Sequence, residues 1–241
     1  MQRERYLILM AAGSGTRMGV DRPKQFIDLE GKAVLHHTIS RLSEALPDVK
    51  FVVVLPQDWI IWWKEYCYRC NLITPQILVA GGITRFHSVR NALEKVPEGA
   101  LVGIHDGVRP FVSPALVERL FAAAMTADGA IPVTPCTDTL KVLEYRADDI
   151  DSIGTGKVLK ATGETVDRSR LFGAQTPQVF KSELIKSAYR QPYDEHFTDD
   201  ASVAEAQKMN LSYLPGEKFN IKLTSRDDLI LAKALFSTSL L

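Results

Sequence analysis

An α/β fold, with a mainly parallel sheet and helices on both faces, is what this sequence of 241 residues predicts. Two observations carry that prediction. Short apolar, β-branched runs alternate with helical patterns through the first half of the chain, the rhythm of repeated βα units. Runs such as KFVVVL at 50–55 are apolar without alternation, as expected of strands covered on both faces.

Taken in order, 6–11 is a strand, 34–46 a helix by its apolar spacing and 50–55 a strand. A helix over 58–70 has Asp58 at a position suited to capping. A short strand at 76–80 is followed by a helix over 83–96, then a strand at 101–105. Ser113 is placed to cap a helix over 114–127, with Pro114 in its first turn. A strand follows at 129–133, and helical patterns return at 181–189, 199–208 and 227–236. The NIKLT stretch at 220–224 is strand-like and holds Lys222, with Thr224 or Ser225 capping the last helix. Between 140 and 171 the rhythm breaks into short apolar pieces and polar turns, which predicts an extended hairpin arm. Such an arm either packs on a second copy of the chain or is a solvent-exposed insertion. The length suits one domain over 1–241 that includes this arm.

Composition narrows the function. Lys plus Arg and Asp plus Glu are both 29, so the net charge is zero and a generic nucleic-acid or anionic-membrane partner is disfavoured. No stretch approaches the roughly 18 apolar residues of a membrane span, and the start MQRERYLIL is unlike a signal peptide. Three cysteines make no disulfide framework, so a reduced, cytoplasmic protein is expected. Cys67 and Cys70 have the C-x-x-C spacing but no second ligand pair.

The stretch AAGSGTRMG, from Ala11 and Ala12 through Gly13, Ser14 and Gly15 to Arg17, follows the first strand. It lacks the G-K-[ST] ending of a Walker loop, and its glycines miss the G-x-G-x-x-G spacing by one residue. What remains is a glycine-rich turn followed by Arg17 and Lys24, suited to phosphate oxygens. In parallel sheets, ligands sit at the carboxyl ends of strands. Asp106 ends the strand before GVRP and is a candidate to hold a divalent metal on a nucleoside triphosphate, with Arg109 in reach of an anion. GGITRFHSV supplies Gly81, Gly82, Arg85 and Ser88 at a strand-to-helix junction, where glycines let a flat base approach the backbone. Thr198 precedes two acids whose plain role is helix capping.

Together these pieces resemble the cytidylyltransferases that activate sugar-alcohol phosphates, within the wider nucleotidyltransferase family. The matching pieces are AAGSGTRMG, PKQF, GGITRFHSV, HDGVRP, TDTLK, TVDR, QTPQVF, FTDDAS and NIKLT, in family order along nearly the whole chain. The resemblance implies a Rossmann-like nucleotidyltransferase fold with a protruding β-arm, and a homodimer built partly through that arm. It implies CTP and a sugar-alcohol phosphate as substrates, and Mg2+ beside Asp106. Ala11, Ala12, Gly13, Ser14 and Gly15 resemble the triphosphate cradle, and Gly82 and Ser88 the nucleoside contacts. Arg17, Lys24 and Lys222 match the catalytic cations. Arg109, Thr139, Arg168 and Thr198 resemble the sugar-phosphate contacts, Arg168 serving the neighbouring subunit's site. Arg22 matches no motif with a role.

Within the family, TVDR, TDTLK and NIKLT favour the branch acting on 2-C-methyl-D-erythritol 4-phosphate, in the non-mevalonate isoprenoid pathway. The rival is the branch acting on ribitol 5-phosphate, which shares the loop, PKQF, an HD-x-VRPF-like segment and QTPQ. A nucleotide-binding module without turnover is a second class of reading, against which both lysines and Asp106 argue; a ligand-free scaffold is the plainest. The chain departs from the family at Gly107, often Ala in relatives, where little effect is expected, and in a longer arm at 152–164.

Overall fold

Continuous apolar strands need cover on two sides, and the two sides here are built by different helices. A computed structural model describes residues 3–13, 22–144 and 160–238. The central strand β1 (Arg5–Met10) is followed by a small antiparallel pair, β2 (Asp28–Leu29) and β3 (Lys32–Ala33), outside the main sheet. Strand β1 lies between β4 (Lys50–Leu55) and β6 (Leu101–Asp106), parallel to both, and β5 (Gln76–Ala80) extends the sheet beyond β4. Because side chains alternate along a strand, β1 sends Leu7 and Leu9 to one face and Ile8 to the other; all three are fully buried. The first face packs on α1 (Val34–Ala45), α2 (Ile60–Arg69) and α4 (Pro114–Thr126), through Leu35, Ile39, Trp63, Leu116 and Leu120. The second packs on α3 (Arg85–Leu93), α5 (Ser182–Ala188) and α6 (Asp200–Ala206), through Val89, Leu93, Ile185 and Val203.

The sheet is mixed beyond β6. Strand β7 (Gly129–Pro135) is separated from β6 by β11 (Gln178–Lys181), which runs antiparallel to both. Strand β10 (Phe172–Ala174) also pairs antiparallel with β7, and β12 (Leu211–Pro215) pairs with it in parallel. The sequence pattern predicts none of these three. Each is short, and two of them return from the arm region rather than through a βα unit.

Three local expectations are corrected. The NIKLT segment is not a strand, because its backbone bonds go elsewhere: Asn220 N–H to Glu217 O, Ile221 N–H to Phe219 O and Leu223 N–H to Val108 O. Asp58 does not cap α2; it sits inside a one-turn 3-10 helix, Gln57–Trp59, and no side chain caps the helix that follows. The helix expected over 83–96 is shorter, starting after Thr84, whose side chain accepts from His87 N–H. Ser113 caps α4 as expected, and Ser225 rather than Thr224 caps α7 (Arg226–Ser237) in a capping box with Asp228.

In the arm region, β8 (Leu143–Glu144) pairs antiparallel with β9 (Lys160–Ala161), in a two-stranded ladder separate from the main sheet. Residues 145–159, the rest of the expected arm, lie outside the described residues. Among the described residues, no helix is long and apolar enough to cross a membrane.

An aromatic cluster ties α2 to the loop after β1. Phe26 stacks on Trp59 with ring centroids 5.1 Å apart and also meets Trp62 and Trp63. Trp63 is fully buried, stacks on Tyr66 and donates from Nε1 to Gln76 Oε1 at 2.9 Å. Truncating Trp63 therefore removes a large packed volume and takes away the indole donor to Gln76 Oε1. Trp63→Ala is expected to cost about 3–5 kcal/mol of stability, measured as a shift in the urea unfolding midpoint.

Candidate active site

The register of the parallel strands decides which loops meet. Met10 pairs with Asp106, so the glycine-rich loop leaving β1 starts beside the carboxylate that ends β6. A cleft of about 440 Å³ opens there, lined by Ala11, Ala12, Gly13, Lys24, Gln25, Gly82, Ile83, Thr84, Arg85, Ser88, Asp106 and Lys222, among others. The predicted residues Ala11, Ala12, Gly13, Lys24, Gly82, Ser88, Asp106 and Lys222 thus come together, drawn from five separate segments. Ser14, Gly15 and Arg17 lie outside the described residues.

Each cleft residue is held by a local device. Lys24 opens a one-turn 3-10 helix, Lys24–Phe26, whose next two residues are buried. Gln25 donates from Nε2 to Ala11 O at 2.6 Å and to Gly13 O at 3.1 Å, so one amide fixes the start of the loop. Across the cleft, Gly82 N–H donates to Ser88 Oγ at 2.9 Å, and that hydroxyl donates to Thr84 O at 2.9 Å. Ser88 thereby shapes the Gly82 turn. Gly81 permits the close approach of the two loops, since a Cβ there would fall 2.5 Å from Ala12 Cβ.

Asp106 is the electrostatic centre. It receives Lys222 Nζ at 3.1 Å and Arg109 Nε at 2.9 Å, and its side chain is only 9% exposed. Burial by itself would raise its pKa, but Lys222, Arg109 and Arg85 outweigh burial and hold the carboxyl well below the usual carboxylate range. Arg109 also donates from Nη1 to Asn220 O at 2.7 Å, two residues before Lys222. Leu223 N–H to Val108 O, at 2.9 Å, pins the other side of the lysine. Asn220 is fully buried, and its Nδ2 donates to Thr176 O at 2.9 Å.

The expected sugar-phosphate residues are more dispersed. Arg109 is spent on Asp106 and Asn220 and does not line the cleft. Thr198 lines a separate cavity of about 850 Å³, which Arg170, Phe172, Glu205 and Tyr213 also line. Thr139 is exposed beyond β7. Arg168 is exposed in the 3-10 turn Arg168–Arg170 and donates from Nη1 to Thr137 O at 3.0 Å, so those two segments stay together.

Sequence reasoning gave no role to Gln25, Thr176 or Asn220, and none to the pairing of Arg85 with Asp200. Arg85 grips Asp200 with both terminal nitrogens, at 2.8 and 2.5 Å, and Tyr189 OH donates to the same carboxylate at 2.6 Å. Asp200 is fully buried; of the two acids at the start of α6, only Asp199 caps the helix. A signal existed: PKQF, QTPQ and the second acid of FTDD lie inside the matched motifs.

A cation-ringed carboxylate beside a glycine-rich loop at the carboxyl edge of an α/β sheet is a site suited to a phosphorylated nucleotide, and the class of protein is a nucleotidyltransferase by its relatives. The model of the family described as IspD, 2-C-methyl-D-erythritol 4-phosphate cytidylyltransferase, matches residues 6–238, and the chain belongs to that family. A relative of that name from Porphyromonas gingivalis is 43% identical over 239 residues, covering 99% of this chain and all of the relative. Among solved structures, 4-diphosphocytidyl-2C-methyl-D-erythritol synthase from Anaerococcus prevotii superposes with a TM-score of 0.77 at 27% identity, over 98% of this chain and 96% of its own. The 2-C-methyl-D-erythritol 4-phosphate cytidylyltransferase from Thermus thermophilus gives 0.70 at 30% identity, over 98% of each chain. The expected Rossmann-like nucleotidyltransferase fold is thus borne out.

Two buried histidines give the fold a pH dependence of defined sign. Burial lowers His105 to about 4 against the opposing pull of Asp106. Burial, Lys32 and His37 lower His36 to about 4 as well. Below about 6.5, the unfolded chain takes up protons that the folded chain refuses. Stability should therefore fall as pH drops from about 6.5 towards 4, by at most about 1.4 kcal/mol per pH unit for each histidine. Chemical denaturation over a pH series measures this slope, and His36→Gln should reduce it.

Proposed function

We infer that this chain transfers the cytidylyl group of CTP to 2-C-methyl-D-erythritol 4-phosphate, releasing pyrophosphate and giving 4-diphosphocytidyl-2-C-methyl-D-erythritol for isoprenoid precursor synthesis. The observation that carries this is the placement of Lys222 against Asp106 at the mouth of the β1 loop, in a chain that matches the family from end to end. The ribitol 5-phosphate reading is not favoured, since the relatives carry the methylerythritol name.

The chemistry asked of the residues is positioning and charge neutralisation. An oxygen of the sugar phosphate, already ionised near neutral pH, attacks the α-phosphorus in line as pyrophosphate departs, so no general base is required. Both reactants are polyanions, and the barrier is lowered by fixing them together and meeting the charge on the five-coordinate phosphorus. Lys24, Lys222 and Arg17 are assigned to that charge. The backbone of 11–15 is assigned to the triphosphate, and Gly82 with Ser88 to the nucleoside. Thr139, Arg168 and Thr198 are assigned to the sugar phosphate, Arg168 acting on the site of a partner in a homodimer joined through the arm, while Arg109, expected there too, is held by Asp106 and Asn220 and braces the carboxylate instead. The working compartment in this reading is the cytoplasm.

Asp106 is the residue that would hold Mg2+. Among the described residues there is no cluster of three or more ligating side chains. Mg2+ with a nucleoside triphosphate takes phosphate oxygens and waters alongside one or two protein carboxylates. Asp106, kept ionised at the cleft, meets that requirement. When bound, the ion supplies charge neutralisation on the triphosphate.

Purified protein given CTP, Mg2+ and each sugar phosphate in turn should release pyrophosphate with 2-C-methyl-D-erythritol 4-phosphate. Release with ribitol 5-phosphate alone, or with neither, would overturn the reading. Lys222→Ala should lower turnover about 10²–10³-fold, the scale of a lost transition-state donor; turnover near wild type would remove Lys222 from the mechanism. Sedimentation velocity should show a dimer.

A further inference from the structure

Next to the carboxylate lies a fully buried histidine that the reaction does not use. His105 occupies the penultimate position of β6, with 0% exposure. Its Nε2 lies 3.2 Å from the Arg109 carbonyl and its Nδ1 lies 3.0 Å from Thr176 Oγ1. The same Thr176 oxygen accepts the Asp106 N–H at 3.0 Å.

These contacts fix the direction of every hydrogen bond. A carbonyl only accepts, so Nε2 carries the proton and donates to Arg109 O. A neutral ring then has Nδ1 as acceptor, so the Thr176 hydroxyl donates to it while accepting from Asp106 N–H. Beside the Asp106 N–H, the Thr176 hydroxyl has Nδ1 as its partner, and a hydroxyl that donates there requires the unprotonated nitrogen of a neutral ring. The result is a closed chain from the Asp106 backbone through Thr176 and His105 to the Arg109 backbone. The turn between its ends is also closed by Arg109 N–H to Asp106 O at 3.1 Å. From this turn Arg109 reaches back to Asp106 Oδ2 and across to Asn220 O.

We propose that His105 is a positioning residue for cytidylyl transfer: through Thr176 and the Arg109 carbonyl it sets the turn from which Arg109 orients the Asp106 carboxylate and the segment bearing Lys222. This rests on the reading of the cleft as the transfer site. The imidazole is fully buried, does not line the cleft and is distinct from the cations assigned to the phosphates. Its effect falls on the reacting end of the cleft, whereas the Gly82–Ser88 end is held by its own hydrogen bonds.

The first test needs no activity. Nitrogen-15 spectra of the imidazoles at neutral pH should show His105, assigned by its loss in His105→Gln, with an unprotonated Nδ1 and a slowly exchanging Nε2–H. A protonated Nδ1 would overturn the relay. The second test is kinetic. His105→Leu deletes both bonds and should lower kcat about 10- to 100-fold, the scale for partners that orient an active group, with KM for CTP close to wild type. His105→Gln keeps an amide donor near the Nε2 position and should recover most of the loss. A leucine variant as fast as wild type overturns the proposal, as does a glutamine variant as slow as leucine. Combining His105→Leu with Thr176→Val should cost no more kcat than the worse single change; additive losses would contradict a single chain. If wild-type protein releases no pyrophosphate from CTP, the reading of the reaction falls, and the spectra alone decide the relay.

Discussion

The ion-pair cluster on Asp106 is the constraint around which the site is assembled. A buried carboxylate is costly unless it is paired and hydrogen-bonded. Here the pairing is supplied by Arg109 from its own turn and by Lys222, 116 residues away in sequence. That distance makes the interaction architectural as well as electrostatic, because it obliges the segment before α7 to cross the carboxyl edge of the sheet. The crossing is reinforced at both ends, by Arg109 to Asn220 O and by Leu223 N–H to Val108 O. Those bonds, with Asn220 N–H to Glu217 O and Ile221 N–H to Phe219 O, turn several of the segment's backbone groups away from a sheet neighbour, and it stays irregular despite a strand-like composition.

The edge exists because of the register. The pairing of Met10 with Asp106 delivers the β1 loop and the β6 carboxylate to the same place, and Leu55 with Ala80 does the same for the Gly81–Gly82 turn. Two glycines then permit contact at backbone distance. A Cβ at Gly107 would lie 3.0 Å from Leu35 Cδ1, 3.1 Å from Ala11 Cβ and 3.2 Å from Met10 O. The sequence comparison with the family suggested that this departure from Ala would be of little effect. The contacts show a position with less room than that, where an alanine fits only if Leu35 and the β1 loop give way by a few tenths of an ångström.

How much of this could be read from the residues depends on how local the cause is. Strands β4 and β5 carry their own signal, a continuous apolar run, and their bounds agree with the prediction to the residue. The Ser113 cap is equally local. Strands β10, β11 and β12 are three to five residues long and owe their state to β7 and β6, so no window of sequence announces them. Within the site, Gly82 and Asp106 were legible because small size or charge at a strand end implies a ligand, and Lys24 and Lys222 through the motifs PKQF and NIKLT that carry them. Gln25 and Asn220 were not: an amide's value lies in which carbonyls it reaches, and that is a tertiary fact. The paired acids at 199–200 divide similarly. Asp199 performs the local capping task, while Asp200 answers Arg85 and Tyr189 from distant segments.

The two cations on Asp106 are not equivalent, and the difference follows from their chemistry. Arg109 is 12% exposed, and its planar fork is divided between a carboxylate oxygen and a backbone carbonyl, which suits a fixed strut. Lys222 is 41% exposed on a flexible stem, a point charge that faces the cleft. Exchange of one for the other would therefore fail in both directions. A lysine at 109 cannot brace two acceptors in one plane, and an arginine at 222 would bring a bulky fork where a compact charge is needed. Arg85, whose two terminal nitrogens are both taken by Asp200, adds field to the cleft without needing to move. Arg85 and Arg109 are thus braced by the buried acids Asp200 and Asp106, while Lys222, which shares Asp106 with Arg109, is the more exposed of that carboxylate's two partners and the one that lines the cleft.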